Sequence, residues 1–271
     1  MKMYKELLCR FLFTALILSN TVAQAQNGDQ ILDGIGETGL VARYLFNCDV
    51  KDWSRNNLHG TLHGTEKGFV SDAKFGKVLS LSGTSGSYVA LPSEALTGLE
   101  SVSISGWIYL RAKQAGQRFF DFGRGNGQHL SVAPIVNADQ EGLQASIITG
   151  EAYKRTMLSP SIALNKWTHL TVVIDISAKK IITYVNGRAV GQASQISGEL
   201  SAVLGLPSQD RLLYIGKSFS PTDPPLNALI HDFRIYRVPL TGQQVAGIYR
   251  NAQGGGIQST VNTTKMREND L

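Results

Sequence analysis

Apolar and polar residues alternate with a period of two along much of this chain, which marks strands with two unlike faces. The pattern is cleanest over Ser101–Leu110, where Val102, Ile104, Ile108 and Leu110 share one face and Ser101, Ser103, Ser105, Trp107 and Tyr109 the other. It recurs after Trp167, with Leu170, Val172 and Ile174 opposed to His169, Thr171, Val173 and Asp175. A polar break at Ser177–Lys180 leads into Ile181–Val185, which ends in Asn186-Gly187. Asn-Gly suits a type I′ turn because both central residues need positive φ. Lys166–Gly191 is therefore predicted as strand, loop, strand, tight turn, strand.

Further strands are predicted at Leu40–Asn47, Lys77–Gly83, Ser87–Pro92, Arg118–Gly123, His129–Val136, Leu143–Thr149, Leu212–Ser218 and Leu229–Leu240. Asp49–Gly64 is a polar, turn-rich loop and a place to look for function. One helix is expected over Gly242–Arg250, with a Thr241/Gln244 capping box and Val245, Ile248 and Tyr249 on one side. Many short strands and a single helix, with no repeat at a fixed period, indicate an antiparallel sandwich or barrel.

The ends follow other rules. Lys2, Lys5 and Arg10 precede the short apolar run Phe11–Leu18, and Ala23-Gln24-Ala25 fits an A-x-A cleavage site. Residues 1–25 are predicted as a secretory signal peptide, 26–39 as a flexible leader, 40–251 as one β-domain and 252–271 as a Gly-rich tail. The apolar run is shorter than the roughly 20 residues that a bilayer span needs. An exported product is expected, in the periplasm, at the cell surface or secreted.

Cleavage lowers the formal charge from +5 to +3, because Lys2, Lys5, Arg10 and Glu6 leave with the peptide. No basic stripe remains, and no nucleic-acid partner is expected. Cys9 lies in the signal peptide, which leaves Cys48 as a lone cysteine, expected to be a small buried thiol.

The blocks GKVLSLSGTSGSYVALP, SVSISGWIYL, KWTHLTVVID with ITYVNGRAV, and YIGKS followed by LIHDFRIYRVPLTGQQVAGIY resemble, in that order, the motif blocks of the LamG-like, concanavalin A-like jelly-roll family. The resemblance covers about Leu40–Asn251. It implies an all-β fold, a two-sheet antiparallel β-sandwich (jelly roll, concanavalin A-like) with one short C-terminal helix. Such modules are common in exported bacterial proteins and often accompany glycoside hydrolases. The closing HDFRIYRVPLT phrase is similar to modules of plant-glycan-degrading enzymes.

Glycosidic hydrolysis needs two carboxyls about 5–9 Å apart. The E-x-D-x-E strand pattern of one related glycosidase family is absent, and the strand carboxylates Asp121 and Asp175 stand alone. His59 and His63 lie four apart in a Gly-rich loop, without an acidic or cysteine partner to complete a zinc set.

For a metal, the resemblance implies one structural calcium ion. Its loop D-x-S-G-N-G-x-x-G corresponds to Asp52–Gly60, and its strand phrase I-D-D/E-x-R-I-Y to Ile230–Tyr236, which nominates Asp52 and Asp232 as ligands. Arg55 and Asn57 replace glycines, and His231 replaces the first acidic residue. The alternative roles are a turn cap for Asp52 and an ion pair with Arg234 for Asp232. As ligand contacts, Trp53 in the polar loop and Tyr153, beside Lys154 and Arg155, are the candidates. Trp107 and Trp167 are assigned to the core.

The reading is an exported, non-catalytic jelly-roll module that binds a polysaccharide or an extracellular protein, accessory to a glycan-degrading system or to a neighbouring glycoside hydrolase domain. The alternatives are a concanavalin A-like glycoside hydrolase and a purely structural scaffold.

Overall fold

The computed structural model describes residues 39–251 except 65–66, 85, 136–141, 150–151, 158–160, 195 and 197–210. The predicted signal peptide, nearly all of the leader, and the tail lie outside the described residues. In chain order the strands are β1 (Leu40–Tyr44), β2 (Thr61–His63), β3 (Lys67–Asp72), β4 (Gly76–Ser82), β5 (Tyr88–Leu91), β6 (Val102–Leu110), β7 (Phe120–Gly123) and β8 (Gln128–Ala133). They continue with β9 (Gln144–Thr149), β10 (Ala152–Met157), β11 (Trp167–Asp175), β12 (Lys180–Val185), β13 (Arg188–Ser194), β14 (Leu212–Ile215) and β15 (Asn227–Tyr236), followed by helix α1 (Gly242–Asn251).

An eight-stranded sheet runs β13-β12-β11-β6-β15-β4-β3, with β1 also paired to β15. A seven-stranded sheet runs β10-β9-β8-β7-β14-β5-β2. The predicted two-sheet sandwich is thus the fold. Alternation explains how the sheets meet. The aliphatic faces of β6 and β11 turn inward and join Leu130 and Val132 of β8 and Leu213 and Ile215 of β14 in one buried core. Phe119, Phe120, Phe122 and Phe233 meet at its centre, mostly edge to face at 5.5–6.2 Å. Gly106 in mid-β6 makes room for them: a Cβ there would sit 3.1 Å from Phe119 and 3.2 Å from Phe233.

The meander forms as predicted. Asn186 and Gly187 have φ of 50° and 77°, and β12 pairs with β13 around them. The capping box also forms: the Thr241 amide donates to Gln244 Oε1 at 2.9 Å, and the Gln244 amide to Thr241 Oγ1 at 3.3 Å. Val245 and Ile248 of α1 bury against Leu40, Val173, Tyr184 and Tyr236, so the helix lies on the outer face of the eight-stranded sheet.

Three strands were not foreseen. β3 carries only Phe69 and Val70 as apolar residues at the sheet edge, and β2 is three residues long, too little for alternation to register. The third is edge strand β10, which carries Tyr153 opposite Ile148.

Two other expectations need correction. Trp107 is buried and Trp167 half-buried, but both lie on the outer face of the eight-stranded sheet rather than between the sheets, since their register partners are His169, His231 and Tyr109. Cys48 is half-buried and disulfide-bonded rather than a free thiol. The chain's only other cysteine, Cys9, lies outside the described residues.

Candidate functional site

The polar loop after β1 is built on Asp52. Its Oδ1 accepts the Arg43 and Ser54 amides at 2.9 and 2.8 Å, and its Oδ2 accepts Ser54 Oγ and the Leu58 amide at 2.7 and 2.9 Å. Four donors occupy the carboxylate's acceptor sites. Asp232 sits in a β-bulge of β15 at φ 47° and is clamped by two guanidinium groups. Arg43 Nε lies 2.8 Å and Nη2 3.3 Å from it; Arg234 Nε lies 3.0 Å and Nη2 2.8 Å. Burial alone would raise the Asp232 pKa, but the Arg234 and Arg43 charges prevail and hold it well below the usual carboxylate range.

This donor set does not fit a calcium ion. Both carboxylates already face hydrogen-bond donors or cations where the metal would have to sit. Among the described residues no group of three or more His, Cys, Asp or Glu is placed to hold a metal.

Of the candidate ligand contacts, Trp53 is 48% exposed, and its loop lies along β1. Tyr153 is on β10 of the other sheet, and its side chain lies outside the described residues. The structure does not bring the two together. By register, though, Tyr153 pairs with Ile148, whose other neighbour is His129. That row belongs to the most site-like surface of the molecule.

This surface is the outer face of the seven-stranded sheet. His63 of β2 stacks on Tyr88 of β5 at 4.5 Å, Tyr88 meets Tyr214 of β14 edge-on at 5.2 Å, and Tyr214 meets Phe219 at 5.5 Å. Phe219 in turn lies 5.8 Å from His129 of β8. All but His129 are half-buried, so the rings form a band with accessible faces. The Lys217 ammonium sits over Tyr88 and Tyr214 at 4.4 and 4.6 Å. Burial, with Tyr88 contributing, raises the Tyr214 pKa, so its phenol stays neutral.

Beside the band is a polar floor. Asp121 is fully buried; its Oδ1 lies 2.5 Å from His129 Nδ1, and its Oδ2 accepts the Phe219 amide at 3.0 Å. Ser131 is opposite Asp121 in register, and Ser146 opposite Ser131. Arg118 reaches toward Asp121 at 3.8 Å and bridges to Asp223 at 3.1 Å. Asp121, which stood alone in sequence, thus gains its partners from the next strand and from the loop after β14. The band itself was missed because its rings come singly from β2, β5, β14 and a loop. Only the period-2 placement of Tyr88 and Tyr214, opposite to Val89, Leu91, Leu213 and Ile215, hinted at it.

The family model of the concanavalin A-like lectin/glucanases superfamily matches residues 82–246. No curated protein sequence matches the chain significantly. Among solved structures, domain 4 of AbnA, an extracellular arabinanase of Geobacillus stearothermophilus in complex with arabinotriose, aligns with a TM-score of 0.63 and 24% identity, over 80% of this chain and 100% of that one. The binding domain of botulinum neurotoxin serotype D/C aligns with a TM-score of 0.60 and 17% identity, over 80% of this chain and 53% of that one. A structure concerning botulinum neurotoxin type C, whose cell entry depends upon interaction with two ganglioside molecules, gives 0.59 and 18%, over 80% and 52%. The chain spans about half the length of these toxin chains. At such identities the likeness is one of fold.

Proposed function

The chain belongs to the concanavalin A-like lectin/glucanases superfamily, and from that premise we propose that it is a non-catalytic carbohydrate-binding module whose ligand lies on the outer face of the seven-stranded sheet. The observation that carries this reading is the ring band from His63 through Tyr88 and Tyr214 to Phe219, set beside the polar floor of His129 and Ser131. Sugar rings present C–H faces that stack on aromatic rings and hydroxyls that need hydrogen-bond partners, and this face offers both. Lys217 rests where a sugar would stack and swings aside on binding. The arabinotriose held by the arabinanase domain of like fold supports a plant-glycan ligand.

Catalysis is not part of the proposal. Asp121 is enclosed and committed to His129 and the Phe219 amide, which leaves it poorly placed to protonate a glycosidic oxygen. Export is part of it. Cleavage after Ala25 would cut the chain between Cys9 and Cys48, so intact mass and N-terminal sequencing of the exported protein test the address.

The binding test is calorimetric titration with arabinan, xylan and galactan oligosaccharides and with ganglioside glycans, alongside a reducing-end assay. Binding weakened at least tenfold by Tyr88→Ala or Tyr214→Ala, without hydrolysis, is expected. Binding untouched by both variants but lost in Trp53→Ala would move the site to the polar loop. Hydrolysis lost in Asp121→Asn would make the protein an enzyme.

A further inference from the structure

Beside the apolar seat of α1, part of the outer face of the eight-stranded sheet is covered and polar. Two adjacent register rows cross β11, β6 and β15 there: His169, Trp107 and His231 in one, Thr171, Ser105 and Arg234 in the next. Five of these side chains carry a buried polar atom without a hydrogen-bond partner: His169 Nδ1, Trp107 Nε1, His231 Nδ1, Thr171 Oγ1 and Ser105 Oγ. Four of the five residues are at most 2% exposed. Isolated orphans occur in many proteins, but five on two neighbouring rows form a set of polar groups able to hold a polar guest.

The cover is thin and local. The turn between β3 and β4 lays Phe75 on His231 at 4.4 Å and on Trp107 at 5.2 Å, and Tyr249 of α1 stacks on Trp107 at 5.6 Å. Lys74, exposed at the rim, rests its ammonium 3.9 Å from the centre of a Trp107 ring. The Asp72 charge acts on Lys74, but that carboxylate accepts from Trp167 Nε1 and from two backbone amides.

The chemistry of the patch selects the guest. The indole N–H can only donate, and the hydroxyls and neutral imidazoles can donate as well. Both nearby carboxylates are committed, Asp232 to Arg43 and Arg234, and Asp72 to Trp167 Nε1 and the Lys74 and Phe75 amides. Lys74 and Arg234 add positive potential, which, after burial itself, helps to keep His169 uncharged. A cation would meet the charges of Lys74 and Arg234 here and find neither carboxylate uncommitted.

We propose that this covered face is a binding site for a small oxyanion, either a carboxylate or an inorganic tetrahedral oxyanion. The β3–β4 turn is its lid. Lys74 leaves the Trp107 ring to pair with the guest, while Thr171, Ser105, Trp107 and the two histidines donate from the floor. The site is on the sheet opposite the proposed glycan face and does not depend on that reading.

The test uses the full chain in a zwitterionic buffer at constant ionic strength, with chloride replaced stepwise by acetate or by phosphate. A saturable rise in Tm of several degrees is expected, since a ligand that binds only the folded state stabilises it by mass action. A response to acetate assigns a carboxylate guest; a response to phosphate alone assigns a tetrahedral oxyanion. Lys74→Met and Thr171→Val should abolish the rise, and Thr171→Val should raise the anion-free Tm by removing an orphan hydroxyl. The Trp107 indole N–H resonance should move on titration in the unmodified protein. A rise that persists in both variants is a general salt effect and overturns the proposal. So does a fall in the anion-free Tm of Thr171→Val with no anion dependence, because bound water then fills the patch.

Discussion

Asp232→Asn should lower stability by about 3 kcal/mol. The carboxylate makes four contacts of 2.8–3.3 Å with two guanidinium groups, of which Arg234 is 6% and Arg43 24% exposed in their side chains. Breaking a buried pair from one side costs about 3–5 kcal/mol, because the partner charge stays buried without compensation. The partial exposure of Arg43 and the acceptor retained by Asn put the value at the low end. Asn also tolerates the φ of 47°, so Asp232→Ala should cost about 1 kcal/mol more.

At 2–4 °C per kcal/mol for a domain of this size, Tm should fall by about 6–12 °C in Asp232→Asn. Urea unfolding with an unchanged m value measures the loss directly. The pH dependence follows from the depressed pKa: the contribution is present above about pH 4, where the unfolded carboxyl is ionised, and is lost as pH falls through the lower folded value. Asp232→Asn should therefore flatten the acid limb of the stability profile. A loss below about 1 kcal/mol, or full additivity with Arg234→Met, would refute the clamp.

Burial, reinforced by the Arg234 charge, lowers the His169 pKa to about 3. The unfolded imidazole takes a proton near pH 6.5 and the folded one does not, so stability should drop by about 1.4 kcal/mol per pH unit below that point, and an NMR titration of the ring near pH 6.5 would contradict it. Gly187→Ala should cost more than about 1 kcal/mol, since φ is 77° and the new Cβ would lie 3.2 Å from Ala246 and Tyr249 of α1; an unchanged urea midpoint would be the contrary result. Thr241→Ala should cost about 1 kcal/mol through loss of the capping box, read as early fraying of α1 in hydrogen exchange. Millimolar calcium or a chelator should leave Tm unchanged, because four donors already fill the Asp52 carboxylate; a saturable rise would restore the metal.

Much of the architecture was legible in single stretches. The alternation of Ser101–Leu110 separates the residues that face the core from Trp107 and Tyr109, and Asn186-Gly187 announces its turn. What covers the far side of that strand was not legible. Trp107 follows the outer-face pattern yet is buried, because the β3–β4 turn and α1, distant in sequence, fold over it. Asp232 breaks the alternation of its strand, and the bulge restores it: Ile230 and Phe233 both point into the core although they lie three positions apart. At that bulge β15 exchanges its neighbour, pairing with β4 before it and with β1 after it.

The candidate site shows the same division. Trp53 was found as an exposed ring because a polar loop is a local property. The Tyr88–Tyr214 band and the Asp121–His129 pair were not, since their members come from strands 8 to 126 residues apart and meet only through sheet order. By itself, then, the sequence determined the all-β class, the meander with its tight turn, and the capped helix, because period, turn chemistry and caps act within a few residues. The strand order, the faces left open or covered, and the partners of Asp121 and Asp232 were decided by tertiary structure alone, because register and cover depend on contacts between segments that carry no mark of one another.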